Sequence, residues 1–336
     1  MKKIVRFLAV SLAAAIALSA KASAEDVLKV AGVHRGVWES AATELGQQAG
    51  IFKKYGIVLD LIHLDEVKEI IQSVASAKAD IGVGVGTMSA IQAYAYGAPI
   101  RIIGASMAGS VNYWYVLKSS PVRSIKDIDG KTIAYERNGS SSQYDALDLM
   151  RKYDIKAKLI LTGRPEATFA SVNAGIVDVG WGALPFGVDK IEQGDIRVVA
   201  RANDLPEIRN KTFGVIITNT DTLRKRRDVL VRFLQAYRET IDWMYSDPAV
   251  LERFSKIVDL PEGAARKLRD EFFPKEMLVP DKIVGMRNII SDAVVLDYIR
   301  KRLSRRQIAE LVQLLTPQSA DQRSIFRRLR DRLGRQ

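Results

Sequence analysis

The chain has 336 residues, no cysteine and a formal net charge of +12. Without cysteine it can form neither a disulfide framework nor a thiolate metal site, and it has no cysteine nucleophile and no N-terminal cysteine for lipid attachment. The charge lies at the ends: four basic residues fall within positions 1–24, and residues 300–336 hold eleven basic and three acidic residues. Residues 25–299 are then formally neutral, so the charge indicates a basic tail and predicts no nucleic-acid surface.

The first 24 residues have the three-part pattern of a secretory signal peptide. Lys2, Lys3 and Arg6 precede a short apolar run at 7–18, and small residues follow up to Ala24. A membrane anchor is the alternative, but the run is shorter than the ~20 residues that a spanning helix needs. We therefore expect cleavage near Ala24, export to the periplasm, and a mature chain that exceeds one domain of ~150 residues and forms two lobes.

Strand-like and helix-like segments alternate through the first part of the chain, which favours an α/β fold with parallel sheets. Strands are predicted at 28–33, 58–63 and 81–85, and helices at 37–55, 67–77 and 89–96. Later segments are helical, with helices predicted at 222–244, from 247, from 260, and over 281–303. We expect these later helices to wrap the first lobe.

A predicted strand at 131–135 turns into a predicted helix at 144–153 through the segment ERNGSSSQY at 136–144. A turn of this kind presents backbone N–H groups and hydroxyls beside the positive end of the helix dipole, which suits an anionic or carbonyl-bearing ligand. An ordinary helix cap that binds nothing is the alternative.

The sequence repeats itself with an offset of 98 residues. Residues 54–84 align without gaps on 152–182, and ten of the 31 positions are identical, among them Asp80 and Asp178. This repeat predicts two equivalent α/β lobes whose binding ends are built from matching turns. Strand-like segments at 112–118 and 210–215 connect the lobes, so a two-strand hinge is expected.

Several motifs together resemble the nitrate/sulfonate/taurine/thiamine-precursor type of periplasmic substrate-binding protein. They are QQAGIFKKYGI at 47–57, ADIG at 79–82, SIKDIDGKTIA at 124–134 and GIVDV at 175–179, and the resemblance covers about 28–315. It implies a type II periplasmic-binding-protein fold in which each lobe is a mostly parallel sheet with flanking helices, joined by a two-strand hinge. Lobe 1 would comprise 25–112 and 213–320, lobe 2 would comprise 113–212, and a basic tail would occupy 321–336.

The same resemblance implies a set of ligand-binding residues at the strand ends and crossings. They are His34, Trp38, Thr87, Ser110, Asn112, Ser140, Ser141, Ser142, Arg164, Trp181 and Phe213. Related proteins often carry an aspartate after the second-lobe strand, whereas here Trp181 is followed by Gly182 and Ala183, so that contact is absent.

Some of these residues have an alternative role. Arg164 suits bidentate binding of a sulfonate, carboxylate or phosphate, but a solvated surface arginine has the same pattern. Trp38 and Trp181 fit either side of a cleft that encloses an apolar or cationic group, and equally fit core packing.

Other chemistries have little support in the sequence. Neither His34 nor His63 has an acidic pair at helical spacing, so no metal site and no cofactor are predicted. The run Gly82-Val83-Gly84-Val85-Gly86 lacks the dinucleotide-binding spacing, and Ser141 lacks the nucleophile elbow of a hydrolase. Two alternatives stay open: an enzyme of this fold resembling a thiamine-precursor synthase, and a sensory ligand-binding module.

The tail predicts an amphipathic basic helix, with Ile325, Phe326, Leu329 and Leu333 on one face and arginines on the other. A solvated extension is favoured over contact with anionic lipid. We expect a monomeric, non-enzymatic protein that closes on a small anionic or zwitterionic solute and delivers it to the permease subunits of an ABC importer.

Overall fold

The computed structural model describes residues 25–33, 38–64, 66–138 and 140–315. The predicted signal peptide, His34 and the predicted basic tail lie outside these ranges. The strands are β1 (Asp26–Val33), β2 (Ile57–Leu64), β3 (Ile81–Gly86), β4 (Ile100–Ala108), β5 (Asn112–Leu117), β6 (Thr132–Tyr135), β7 (Lys158–Leu161), β8 (Gly180–Ala183), β9 (Ile196–Arg201) and β10 (Thr212–Asn219).

The α-helices are α1 (Ala42–Gln48), α2 (Ile51–Lys54), α3 (Val67–Ala75), α4 (Thr87–Ala95), α5 (Ser141–Tyr153), α6 (Pro165–Asn173), α7 (Val188–Gln193), α8 (Pro206–Arg209), α9 (Thr220–Lys225), α10 (Arg227–Ser246), α11 (Ala249–Val258), α12 (Glu262–Lys267), α13 (Met286–Val295) and α14 (Arg305–Leu311). Short 3-10 helices cover Ile125–Ile128, Ala202–Asp204 and Lys275–Met277, and a π-helix covers Leu268–Phe272. Within the described ranges, none of these helices is both long and apolar enough to span a membrane.

The two lobes have the same strand order. In lobe 1 the five strands run β2-β1-β3-β10-β4, with only β10 antiparallel to its neighbours. In lobe 2 a three-stranded piece, β8-β5-β9, and a two-stranded piece, β6-β7, meet at a parallel bridge between Ile133 and Val179. The resulting order is β7-β6-β8-β5-β9, again with the fourth strand antiparallel. The repeat predicted from the sequence is therefore a repeat of structure.

Two identical aspartates hold equivalent positions in the two sheets. Asp80 accepts a hydrogen bond from the backbone N–H of Lys29 on β1 at 3.0 Å, and Asp178 accepts one from that of Thr132 on β6 at 2.8 Å. Each carboxylate ties the start of the third strand to the first strand of its lobe. This pair lies at the amino ends of the strands, so the shared Asp motif fixes the sheets on the side away from the expected binding edge.

The chain crosses between lobes at 109–111 and at 202–211, and the two crossings are bonded to each other. The N–H of Gly109 donates to the carbonyl of Lys211 at 2.8 Å. The Asn203 amide brackets Ser110, accepting from its N–H at 2.7 Å and donating to its carbonyl at 2.9 Å. Gly109 has a φ of +81°, and a Cβ there would lie 2.6 Å from Asn203 Oδ1, so glycine is required.

Three predicted helices are interrupted, two of them at residues with positive φ. The helix expected at 37–55 is two helices, because Gly50 has a φ of +73° between α1 and α2. The helix expected at 281–303 is limited to α13, which follows Gly285 at a φ of +78° and ends before Asp297 at +56°. The segment at 222–244 is divided between α9 and α10 at Arg226.

The later helices contact both lobes. Phe233 of α10 stacks on Phe52 of lobe 1 with ring centroids 5.5 Å apart. In the π-helix, Phe272 lies 5.6 Å from the Tyr113 ring of lobe 2, and Glu271 pairs with Arg201 at 2.7 Å. These helices therefore bridge the lobes and do not wrap the first lobe alone, because the π-helix carries an aromatic ring and a charge that find partners on lobe 2.

Candidate functional site

The carboxyl ends of the parallel strands lie beside the crossings in both lobes. In lobe 1, Gly86 at the end of β3 pairs with Gly214 near the start of β10, and Met107 at the end of β4 pairs with the same glycine. In lobe 2, β6 ends at Tyr135 and α5 begins at Ser141. Open α/β sheets bind ligands at this edge, so the candidate site is the cleft between the two sets of strand ends.

A polar cluster joins the first crossing to α5. Asp145 Oδ2 accepts from Ser110 Oγ at 2.9 Å and from Asn112 Nδ2 at 2.8 Å. The same Asn112 amide lies 3.1 Å from Ser141 Oγ and donates to it. The structure thus brings together three residues predicted from the sequence, and it joins them through Asp145, which sequence reasoning missed.

The pKa of the Asp145 carboxyl is raised above its ordinary value. The residue keeps part of its surface exposed, yet surrounding protein desolvates the carboxyl, and this raises its pKa to about 6 despite the donors Asn112 and Ser110. No cation pairs with it among the described salt bridges. Its carboxyl therefore accepts two hydrogen bonds from neutral donors, with no cation in an ion pair with it among the described residues.

The serines at 140–142 form hydrogen bonds that hold the start of α5. Ser140 Oγ accepts from the N–H of Gln143 as the cap of α5, and Ser142 Oγ accepts from the N–H of Glu136 at 3.0 Å. Ser140 and Ser142 are buried and lie 2.9 Å apart through their hydroxyls, whereas Ser141 is exposed. Two of the three predicted serines thus shape the turn, and Ser141 is the one that remains exposed.

Thr87 and Phe213 lie together at the edge of lobe 1. Thr87 is buried at the start of α4, and its Oγ1 contacts the carbonyls of Thr212 at 2.8 Å and Phe213 at 3.0 Å. The Phe213 ring is 38% exposed, which leaves an apolar surface beside the second crossing. Thr87 therefore anchors the start of β10 and positions Phe213.

A second acid missed from the sequence, Glu39, lies at this edge. It follows Trp38 in the turn before α1 and is only 6% exposed. Its carboxylate accepts from Ser106 Oγ on β4 at 3.4 Å. Burial raises the pKa of Glu39 to about 7. An acid beside a tryptophan near the start of the helix predicted at 37–55 was the available signal.

The remaining predicted residues are placed differently. Trp38 is fully buried, donates from Nε1 to Tyr245 and packs edge-on against Phe254 at 4.9 Å. Trp181 is 3% exposed and donates from Nε1 to the Gly163 carbonyl at 3.2 Å. Arg164 is exposed at the start of α6, and no described salt bridge includes it. The indoles are thus core residues in this conformation, and Arg164 is available to solvent.

A small cavity lies in lobe 1 beside the carboxyl-terminal parts of β1 and β2. It is lined by residues of β1, β2, α1 and α11, including Gly32, Thr43, Leu61, His63 and Ile257. Across the described residues, no group of three or more His, Asp or Glu side chains is arranged to hold a metal ion.

The chain is similar to a known protein family and to one curated protein. The chain matches the family model described as NMT1/THI5 like over residues 39–250. A curated relative, the 4-amino-5-hydroxymethyl-2-methylpyrimidine phosphate synthase of Uromyces fabae, is 23% identical over 221 residues, or 61% of this chain. The match spans 62% of that relative's length.

Two solved structures share the fold. The putative periplasmic sulfonate-binding protein SsuA from Methylobacillus flagellatus KT has a TM-score of 0.67 at 18% identity, covering 87% of this chain and 92% of that one. The periplasmic aliphatic sulphonate binding protein SsuA from Escherichia coli has a TM-score of 0.64 at 18% identity, covering 84% and 91%. The chain therefore has the two-lobed α/β fold of periplasmic binding proteins.

Proposed function

Because the chain belongs to the NMT1/THI5-like family, we propose that it is the solute-binding component of an ABC importer. Its solute is a small anionic or zwitterionic organic molecule of the sulfonate, carboxylate or pyrimidine type. The observation that supports the proposal is the pair of lobes with one strand order, joined by two crossings that are tied together at Ser110 and Asn203.

To capture a solute, the protein must contact it from both lobes. A solute shifts the open and closed populations only by the difference between its affinities for them, so contacts to one lobe alone would not favour closure. The lobe 1 edge offers Phe213 and Glu39, and the lobe 2 edge offers Ser141 and the Asp145 cluster. Loss of either set is expected to weaken binding while each lobe remains folded.

The anionic end of the solute belongs on lobe 2 in this proposal. The 13-residue helix α5 directs the positive end of its dipole at the cleft, with the exposed Ser141 in its first turn. Arg164 is exposed at the start of α6, after the neighbouring strand β7, and its guanidinium suits a sulfonate or carboxylate.

The location and partners are part of the same proposal. The pattern at 1–24 indicates export to the periplasm, and the sulfonate-binding neighbours are named as periplasmic proteins. We expect a monomer that docks on the membrane permease subunits, with no nucleic-acid partner and no catalytic role.

A thermal-shift screen over sulfonates, nitrate, carboxylates and pyrimidines tests this function. A solute at 100 times its dissociation constant adds about 2.7 kcal/mol to the free energy of unfolding, which raises the melting temperature measurably. Titration calorimetry then gives the affinity, and small-angle scattering gives the closure. Arg164→Gln should weaken an anionic hit at least tenfold, whereas Arg151→Gln, an exposed arginine at the far end of α5, should not. If no solute raises the melting temperature, the proposal fails.

The curated relative supports a second candidate, a pyrimidine phosphate synthase. The relative's name identifies a chemical product, so the two functions differ in what happens to the bound molecule. Mass spectrometry of the purified protein after incubation with hit compounds separates them. A binding protein returns the solute unchanged, whereas a synthase yields the aminopyrimidine phosphate.

A further inference from the structure

Glu39 is a buried acid without a cation among its described contacts. Of the Asp, Glu, Lys and Arg residues that the structure describes, only Glu39 is buried. Its carboxyl accepts from Ser106 Oγ at 3.4 Å and from the backbone N–H of Ser40. Both donors are neutral, and the first contact is long. A carboxylate in such a place is costly unless a further donor or a positive charge reaches it.

Bare backbone surrounds this carboxyl on the sheet side. Gly214 on β10 pairs with Gly86 at the end of β3, so this pair of strands has no side chain at that position. A Cβ on Gly214 would lie 2.4 Å from Ser106 Oγ and 3.7 Å from Glu39 Oε1. Glycine there lets the buried Ser106 hydroxyl pack against the backbone of β10, and it leaves the β10 side of the Glu39 carboxyl without a side chain of its own.

We propose that Glu39 is a specificity-determining residue that binds an amino or amidine nitrogen of the solute. This inference rests on the proposed binding function and narrows it: the solute carries an N–H donor or an ammonium group at its lobe 1 end, together with the polar or anionic group that lobe 2 receives. A solute with an anionic group alone would leave Glu39 without its missing partner.

The other groups that face Glu39 do not supply this charge. Tyr237 of α10 donates its hydroxyl to the backbone carbonyl of Glu39 at 3.3 Å, and Ser106 of β4 is neutral. Gly214 of β10 has no side chain. His34 and Arg35 precede Glu39 in the sequence but lie outside the described residues, so both are replaced by glutamine as separate arms of the test.

Matched solute pairs test the inference on the full mature chain. Taurine is compared with propane-1-sulfonate, β-alanine with butyrate, and 4-aminopyrimidine with 4-methylpyrimidine, since each pair differs in the nitrogen group. Titration calorimetry is run on the wild type, on Glu39→Gln and on Asp60→Asn, an exposed acid of β2 that serves as the control. We expect the nitrogen-bearing member of at least one pair to bind tenfold or more tightly in the wild type and Asp60→Asn, and this preference to be lost in Glu39→Gln.

Proton release provides a measurement on the unmodified protein. Because burial raises the pKa of Glu39 to about 7, roughly half of the molecules are protonated at pH 7, and a bound cation would expel that proton. Calorimetry in phosphate and in Tris should show release with taurine or β-alanine and none with the matched nitrogen-free solute. This measurement tests the role of Glu39 even if the Glu39→Gln variant does not fold.

The outcomes separate the two levels of the proposal. If solutes bind but the nitrogen group brings neither preference nor proton release, Glu39 is not the nitrogen site and the binding function stands. If His34→Gln or Arg35→Gln abolishes the preference while Glu39→Gln retains it, the assignment to Glu39 is overturned. If no member of any pair binds and the wider screen also finds nothing, the binding function itself is overturned.

Discussion

The two lobes share a strand order but differ in how their sheets are held together. In lobe 1, β1 pairs with β3 at three positions, Val30 to Gly32, and the five strands form one sheet. In lobe 2, the equivalent strands β6 and β8 meet at one bridge, between Ile133 and Val179. The Trp114 indole compensates, since it reaches from β5 to donate to the Ala134 carbonyl on β6 at 3.1 Å.

A second difference lies in the segments that build the cleft. On β1 and β2, Lys29 pairs with Asp60, a separation of 31 residues, whereas Thr132 pairs with Lys158 on β6 and β7, a separation of 26. The separation between paired residues of the first two strands is thus five residues longer in lobe 1, and the chain between them includes Glu39. The amino ends of the strands retain identical groups in the two lobes, whereas the carboxyl ends differ and would form two different walls of the cleft.

The largest expected effect comes from removing the indole that joins the two pieces of lobe 2. Trp114→Ala should lower the free energy of unfolding by about 3–5 kcal/mol, because it leaves a large cavity and breaks the bond to Ala134. Trp114→Phe, which keeps most of the packing, should cost about 1 kcal/mol. Hydrogen exchange should show β6 and β7 opening before β1 and β2. Equal opening of both lobes would contradict the asymmetry.

Glu39 should make the ligand-free protein less stable as the pH rises. Its folded pKa, about 7, exceeds the ordinary value of 4.5, so the folded state holds a proton that the unfolded state has lost between these values. Stability should therefore fall from pH 4.5 to pH 7 and then level off, by on the order of 3 kcal/mol at most. Urea unfolding of Glu39→Gln should remove the part of this slope between about pH 6 and pH 7, and Asp145, whose pKa is raised to about 6, should keep part of the slope below that range. Asp60→Asn should keep the whole slope. A wild-type curve without the slope would contradict the burial of the charge.

Loss of Asp145 should disturb the lobe 2 wall more locally. Asp145→Ala leaves the Ser110 hydroxyl and the Asn112 amide without their acceptor, which should cost about 1–3 kcal/mol. Urea unfolding measures the loss, and exchange of the α5 amides locates it. Asp148→Ala, one turn along the same helix and paired with Arg151, is the control and should cost less than about 0.5 kcal/mol. Similar losses in both variants would remove the special role of Asp145.

The matched aspartates should give the smallest effects. Thr132 holds the pKa of Asp178 below its ordinary value through its N–H and hydroxyl, so this stabilisation is present at neutral pH and is lost as the pH falls through the lowered value. Because Asp178 is exposed, Asp178→Ala should cost about 1 kcal/mol at pH 7 and nothing in strong acid. Asp80→Ala should cost more, since Asp80 also pairs with Arg226 at 3.3 Å. The reverse order, seen in urea midpoints, would contradict the contribution of the pair between Asp80 and Arg226.

The 98-residue repeat made the two lobes and their α/β class predictable from the sequence. The positions identical in the two halves, such as Asp80 with Asp178 and Gly82 with Gly180, hold the sheets, so the two lobes and their α/β class followed from them. Helix ends were harder to predict. An isolated glycine such as Gly50 is tolerated in many helices, and here it is the left-handed φ of Gly50 that ends the helix.

The cleft acids could not be predicted in the same way. Asp145 lies in a helix where an exposed acid would have the same local pattern, and its partner Ser110 is 35 residues away. Glu39 is joined to Ser106 across 67 residues. Only the packing of β4 and the first crossing desolvates these carboxyls. Conversely, Trp38 and Trp181 fitted a cleft by position along the chain, whereas the face of the turn or strand that carries them directs both indoles inward.

The bracket that Asn203 makes around Ser110 has a mechanical consequence. Two independent crossings would let the lobes bend, twist and shear separately, because each segment could change its dihedral angles alone. Here the amide of Asn203 and the bond from Gly109 to Lys211 make the crossings a single ribbon. Rotation of one lobe must then turn both segments at once, which restricts the lobes to one path and couples a contact at either wall to the position of the other.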